Sequence, residues 1–321
     1  MKIATWMQGT DQRCGFVHDG ETFALAPDVT VLDLVRSGLD AALALGRERL
    51  EQGDAVPLGE VRLLPPLAPP SVRDFVTFEE HVEGIVKSAP GGDPGVVPQW
   101  YEAPTFYFTN PHTLRASGER VTPPWGEQAL DFELEVATIV GAVAGSDGRS
   151  LTPEAASEHI FGYTIFNDWS ARDLQFREMK VNLGPCKGKD FATTLGPWIV
   201  TADEFTGHDD DDGFLDLSAS VSINGELFGR DSLSHMGWSF ADLVAYASRS
   251  SRVVPGDVLG SGTTGHGCLA EIWGRAGHRL PRPLQPGDVV RMDVEGIGYI
   301  ENEIAEPVPT PAIRQARPRR G

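Results

Sequence analysis

Glu133 and Glu135 stand two apart in D-F-E-L-E-V-A-T-I-V-G, residues 131–141, and period-two alternation puts both on one face of a strand. Leu134, Val136 and Ala137 supply apolar surface around them, and Ile139 and Val140 carry the strand into core. Two carboxylates about 6–7 Å apart along a strand repel each other unless a cation sits between them or water screens them. Taken alone, Glu-x-Glu reads as a half-exposed strand with a solvated acidic face. The weight shifts downstream, in F-G-Y-T-I-F-N-D-W-S-A-R-D-L-Q. Residues 161–166 read as a buried strand that delivers Asn167 and Asp168 at its end, where a carboxylate can reach the mouth of a sheet. With Glu133 and Glu135, Asp168 completes an all-oxygen site for a hard cation such as Mg²⁺, Mn²⁺ or Ca²⁺.

Further groups with chemical potential flank this set. Arg172 and Gln175 follow Asp168, and then comes L-G-P-C-K-G-K-D-F, where Gly184 and Gly188 flank Lys187 and Lys189. Lysines beside an apolar strand usually snorkel to water, but a Gly-flanked pair in an acidic protein also fits an anion site. Upstream, R-D-F-V-T-F-E-E-H-V-E-G-I-V-K carries His81 on a segment, residues 79–88, that can form a helical turn or more. By itself such a histidine reads as a surface helix residue. The A-P-G-G-D-P-G-V-V-P that follows predicts a mobile stretch, and residues 78–97 a lid that closes over substrate.

The elements that must hold these groups suit a mixed α+β, β-rich chain. Residues 1–26 alternate in three short runs and predict a small antiparallel sheet; leucines at helical spacing over residues 31–52, closed by Gly53, predict one helix or two. Five prolines within residues 57–70 favour extended chain and place a domain boundary near residue 67. The division is then a small N-terminal sheet-plus-helix domain (1–67), a catalytic domain (68–306) and a disordered tail (307–321) with four prolines and four arginines. Within the catalytic domain, A-P-T-F-Y-F-T-N-P reads as a buried strand, Thr152 caps a short helix begun by Pro153, and Asn224-Gly225 suits a type I′ hairpin. Two strands, at residues 255–263 and 286–294, are entered by the same Pro-Gly-Asp turn, and residues 239–247 read as a helix.

A net charge of −19, from 46 acidic and 27 basic residues, argues against nucleic acid or an anionic membrane as partner. An anionic small substrate would need a local cation. Part of the excess is the solvated run Asp209, Asp210, Asp211 and Asp212, read as surface rather than a calcium loop. No apolar run approaches a membrane span, and the chain opens directly into a strand pattern. Cys14, Cys186 and Cys268, scattered and odd in number, predict reduced thiols in a cytoplasmic protein.

These motifs, in this order, resemble the fumarylacetoacetate hydrolase family across residues 70–306. Glu133-x-Glu135 followed by N-D-W-S-A-R-D-L-Q is the strongest pair. L-G-P-C-K-G-K-D-F is similar to the segment bearing the family's active-site lysine, which puts Lys189 in that role, and G-S-G-T-T-G at 260–265 is similar to its Gly-Thr turn. The resemblance implies a mixed β-roll catalytic domain, assembly as a homodimer, and a divalent ion held by Glu133, Glu135 and Asp168 with Asp74 as fourth ligand. It implies His81 as the catalytic histidine, paired with Glu271. Two departures bear on the substrate: the family's arginine shortly after the histidine is missing, Lys87 being the nearest basic residue, and Asn110 stands where many relatives have lysine.

On that resemblance, a 1,3-dicarbonyl or 2-oxo acid would chelate the ion, and His81 with Glu271 would activate water. Lys189 and Gln175 would stabilise the oxyanion, Thr263 would bind a carboxylate, and Tyr107 and Arg172 join the substrate-binding set, Arg172 being equally suited to a structural role. The expected activity is hydrolysis of a carbon–carbon bond in an acylpyruvate or fumarylacetoacetate-like acid. Oxaloacetate decarboxylation, or isomerisation or hydration of a 2-oxo-alkenoate, uses the same metal site, and a catalytically silent metal-binding scaffold is the alternative of another class.

Overall fold

Strand register does the positioning in this fold. The structure, a computed structural model, describes residues 1–88 and 95–319. Its central strand, Leu134–Val140, runs antiparallel to Ile160–Asp168, with Leu134 opposite Asn167 and Glu135 opposite Phe166. On its other side it pairs with Val258–Gly260, which lies parallel to Val72–Phe75 with Gly260 opposite Asp74. Neighbouring strands therefore bring Glu133, Glu135, Asp168 and Asp74 to one end of the sheet. Gly260 is required between them: a Cβ there would lie 2.7 Å from Asp74 Oδ1 and 3.0 Å from Glu135 Oε2.

Every residue of Leu134–Val140 is buried, so the reading of a solvated acidic face does not hold. The alternation is real, but both faces are covered. Leu134 and Val136 pack into one core with Phe132, Ile165 and Trp169, backed by a four-stranded antiparallel sheet and the helix Phe240–Ser248. Ala137 and Ile139 enter a second core with Ile3, Phe16, Val35 and Ile199, under the helices Val31–Ser37 and Leu39–Gln52. Gly38, at φ +88°, separates those two helices, and Thr30 and Asp33 form a capping box worth ~1 kcal/mol at the first.

The three N-terminal strands form as their alternation predicts, and the first continues the large sheet by pairing Lys2 with Val200 and Ile3 with Ile199. The type I′ hairpin is present, with Asn224 and Gly225 at φ +53° and +82°. The expected buried strand around Tyr107 is a correction. Phe106–Thr109 lies at the sheet edge and, among the described residues, pairs with Val72–Phe75 alone. Its Phe108 is 61% exposed, with the Arg73 guanidinium 5.1 Å from the ring centre. A run of aromatics signals strand, but not how many neighbours the strand has. Two helices carry functional groups where none was expected, Arg172–Met179 and Leu269–Ala276. Part of the expected lid, residues 89–94, lies outside the described residues, as does the side chain of Lys87.

Candidate active site

The four carboxylates converge in a buried cluster. Asp74 and Glu135 lie within hydrogen-bond reach of each other, and burial first, then repulsion by Asp168 and by Asp74 respectively, push both carboxyls well above the usual carboxylate range. Glu135 is oriented by Gly262 N–H at 3.2 Å and Thr263 Oγ1 at 3.3 Å. Burial also pushes Glu133 up, but Lys189 and Arg172 outweigh it and hold that carboxyl far below the usual range. Lys189 donates to Glu133 and, at 2.6 Å, to Asp168, which also accepts from the Tyr107 hydroxyl. Among the described residues, Asp74 Oδ1 and Asp168 Oδ1 are buried without a hydrogen-bond partner.

These observations test the cluster as a cation site, and it fits. Asp74, Glu133 and Asp168 each bring an oxygen into one small space. Among the described residues, five buried carboxyls (with Asp131) face two buried cations, Lys189 and Arg172. Orphaned oxygens, mutual repulsion and an all-oxygen donor set are what a hard divalent ion relieves.

Across the cavity His81 and Glu271 meet, with Nδ1 2.9 Å from Glu271 Oε1. The Glu271 Oε2 accepts His266 N–H at 2.9 Å, so a carboxylate is held facing the ring and Nδ1 donates to it. Nε2 is left as an acceptor, 3.9 Å from Glu133 Oε1. The helices bearing the pair, Glu79–Ser88 and Leu269–Ala276, approach closely at Gly84, where a Cβ would lie 2.9–3.1 Å from Glu271 carbons. A cavity of about 290 Å³ separates dyad and carboxylates, at the small end for ligand pockets. Asp74, His81, Tyr107, Glu133, Glu135, Arg172, Gln175, Lys189 and Thr263 line it, with Phe75, Phe106 and Pro185 as apolar wall. Asp168 and Glu271 stand just behind that lining. A larger groove of about 930 Å³ on the four-stranded sheet includes none of these residues.

All eleven expected site residues thus gather in one place. Of the Gly-flanked pair only Lys189 turns inward; Lys187 is exposed and paired with Asp190 at 2.8 Å. Asn110 holds its own turn, accepting His112 N–H at 3.0 Å.

The sequence reading missed Asp131. Its carboxylate accepts from Arg172 Nε at 3.0 Å and Nη2 at 2.7 Å. It also takes Leu269 N–H at 2.8 Å and Ala270 N–H at 3.0 Å, which caps the helix of Glu271 from another strand. Arg172 in turn holds Glu133 Oε1 at 2.8 Å and Gln175 Oε1 at 3.1 Å. The signal was present, since the period-two run of Glu133 and Glu135 begins at Asp131. Glu178 is a second omission; it gathers Cys186, Lys187 and Gly188 N–H groups at 2.6, 2.8 and 3.2 Å, and so shapes the loop of Lys189.

A family model described as fumarylacetoacetate (FAA) hydrolase C-terminal matches residues 71–305. The chain belongs to the fumarylacetoacetate hydrolase family. Among curated members of this family it is similar to the fumarylacetoacetase of Oryza sativa subsp. japonica, 28% identical over 312 residues that cover 81% of this chain and 72% of that protein. The Dictyostelium discoideum fumarylacetoacetase is 27% identical over 244 residues, 64% of this chain and 57% of its own length. The chain therefore spans little more than half of that relative. A fumarylacetoacetate hydrolase structure from Exiguobacterium antarcticum is 28% identical with TM-score 0.71, covering 95% of this chain and 99% of that one. The maleylpyruvate hydrolase of Sphingobium sp. SYK-6, in complex with manganese(II) and pyruvate, has the same fold at 20% identity, TM-score 0.70, and 96% and 100% coverage. The mixed α+β catalytic fold expected from the motifs is thereby established. Among the described residues no helix is long and apolar enough to cross a membrane.

Proposed function

We propose that this chain is a divalent-cation-dependent hydrolase that cleaves a carbon–carbon bond in a small 1,3-dicarbonyl acid, acylpyruvate or fumarylacetoacetate-like. The observation that carries the reading is the buried His81–Glu271 pair at 2.9 Å, with Nε2 turned toward the carboxylate cluster. The cavity size suits a short dicarbonyl acid, and the fold neighbour that holds manganese with pyruvate agrees with a divalent ion and a 2-oxo acid here.

Bound by Glu133, Glu135, Asp168 and Asp74, an ion of the Mg²⁺ or Mn²⁺ type would supply Lewis-acid stabilisation of enolate charge as the bond breaks. Glu271 keeps Nδ1 protonated and the imidazole oriented, so Nε2 takes a proton from water. Lys189, buried and held cationic by Asp168 and Glu133 against the pull of desolvation, offers charge to a developing oxyanion. Gln175, fixed by Arg172, can donate its amide to the same oxygen, and Thr263 and Tyr107 supply hydroxyls at the cavity wall. Phe75 and Phe106 form apolar wall of the cavity. Assembly as a homodimer belongs to this proposal, and light scattering tests it.

The test is kcat/KM for an acylpyruvate and for oxaloacetate at saturating Mg²⁺ or Mn²⁺, in the wild type, His81→Ala, Glu271→Gln and the double variant. His81→Ala should lose on the order of 10²–10⁴ in hydrolysis, the usual worth of a positioned base, and much less in decarboxylation. Glu271→Gln should mimic it, and the double variant should be little worse. An equal fall in both reactions would remove water activation from His81. Turnover of oxaloacetate alone by the wild type would replace hydrolase with decarboxylase.

A further inference from the structure

Cys268 has no part in the chemistry above, yet it closes a triangle with the dyad. Its Sγ lies 3.7 Å from His81 Nδ1 and 3.8 Å from Glu271 Oε1, and those two atoms are 2.9 Å apart. All three side chains are buried. A point equidistant from three atoms so spaced lies about 2.0 Å from each; slightly out of their plane, the separations become those of imidazole, carboxylate and thiolate ligands around zinc, ~2.0–2.3 Å. The triangle has the size of an ion's coordination face.

Its chemistry differs from that of the carboxylate cluster. A thiolate, an imidazole and one carboxylate select borderline ions such as Zn²⁺, whereas the all-oxygen cluster selects Mg²⁺, Mn²⁺ or Ca²⁺. The scaffold is already set. Cys268 stands at the N-cap of its helix without a side-chain capping bond, because Asp131 takes the Leu269 and Ala270 N–H groups instead. Glu271 is held through its other oxygen by His266 N–H, and Gly84 fixes the spacing of the two helices. His81 opens the way in, since it lines the active-site cavity.

We propose that His81, Cys268 and Glu271 form a second metal site, selective for Zn²⁺ and similar ions, whose occupation switches the hydrolase off. Zn²⁺ enters as one proton leaves the thiol to solvent and the imidazole proton passes from Nδ1 to Nε2, and the resulting cluster of Zn²⁺, thiolate, carboxylate and neutral imidazole carries no net charge, as burial demands. Nδ1 bound to the ion no longer reports to Glu271, and the helices of His81 and Glu271 are stapled together. The metal binding stands on geometry alone; the inhibition rests on the dyad's role under Proposed function.

The experiment uses Co²⁺ as the spectroscopic stand-in for zinc, on full-length protein with excess Mg²⁺ filling the carboxylate cluster. Cys186→Ser serves as background, because Cys186 is exposed and would bind metal adventitiously. The expected result is a thiolate-to-cobalt charge-transfer band at one Co²⁺ per chain, bleached by Zn²⁺ and absent after further Cys268→Ala substitution. Cys268→Ser, closer in volume, replaces Cys268→Ala if the latter does not fold. In turnover, Zn²⁺ should inhibit the Cys186→Ser protein. The Cys268 variants, each normalised to its own zinc-free rate, should need upward of ~10-fold more, at least the loss seen when a metal site's outer partner is removed. No charge-transfer band, or one that survives loss of Cys268, overturns the site. A Cys268-dependent band with full activity under saturating Zn²⁺ overturns the switch. If no substrate is turned over at all, the hydrolase reading falls while the cobalt band still decides the site.

Discussion

Gly84 carries the sharpest mechanical consequence of this arrangement. It follows His81 by one helical turn and lies against the helix of Glu271, where a Cβ would sit 2.9 Å from Glu271 Cγ, 3.0 Å from Cβ and 3.1 Å from Cα. Comfortable carbon contacts are ~3.5–4.0 Å, so Gly84→Ala must open the helix pair by roughly 0.5–1 Å. One contact is with backbone, which no rotamer change relieves. The His81–Glu271 hydrogen bond, 2.9 Å in the wild type, should lengthen to roughly 3.5 Å and largely fail. Overpacking costs ~1–3 kcal/mol, and the better helix propensity of alanine returns up to ~1 kcal/mol, leaving a net loss of about 0–3 kcal/mol. A misplacement of this size costs on the order of 10² in rate. The assay is kcat/KM on an acylpyruvate for wild type, Gly84→Ala, His81→Ala and the double variant, alongside urea unfolding. Because both changes act through one dyad, Gly84→Ala should add little once His81 is gone. A folded Gly84→Ala enzyme with wild-type kcat/KM, or one whose loss persists undiminished without His81, refutes the coupling.

Asp131→Asn should cost about 1–3 kcal/mol in urea unfolding, by weakening the bonds to Arg172 and to the Leu269 and Ala270 N–H groups while Arg172 keeps Glu133, and should weaken Mn²⁺ binding by ~10–100-fold through Glu133; unchanged stability would show that Asp131 is not the anchor. Glu135→Gln replaces a repelling carboxyl pair with an amide–carboxylate contact. It should therefore hold or raise the metal-free Tm while abolishing the rise from Mn²⁺, which for a wild type at a hundred times Kd is worth ~2.7 kcal/mol; a Mn²⁺-induced rise equal in both proteins would remove Glu135 from the site. Asp288 is held down to about 2 by Arg282, Asn224 and Gln285 N–H despite partial burial. Its folded pKa is depressed, so its contribution is complete above the unfolded value near 4 and fades as pH falls toward 2; with Arg282 half exposed, screening leaves on the order of 1 kcal/mol. The stability gap between wild type and Asp288→Asn should accordingly shrink only in that acid window, and a gap constant from pH 7 to 3 would contradict it.

The sequence by itself determined the parts that depend on local period and turn chemistry. Alternation put Glu133 and Glu135 on one face, and a buried strand placed Asp168 at its end. Thr152 before Pro153, and Asn224-Gly225, marked a helix start and a hairpin because caps and turns are written in a few adjacent residues. The motifs, taken together, carried the family. Other features were decided only by tertiary structure. The helix Arg172–Met179 has almost no apolar periodicity, and its first N–H groups are satisfied by Glu127 from a distant segment, Asp173 N–H at 3.0 Å and Leu174 N–H at 3.2 Å. Phe106–Thr109 reads as core until the sheet order makes it an edge. Cys268 reads as a scattered thiol until the approach of two helices brings it to His81, 187 positions away in sequence. Asp131 is the clearest case: its strand was legible, but its role lies in the N–H groups of Leu269 and Ala270 and the guanidinium of Arg172. Backbone donors carry no residue signature, and which of them a buried carboxylate must satisfy is settled only when burial removes water as the alternative partner.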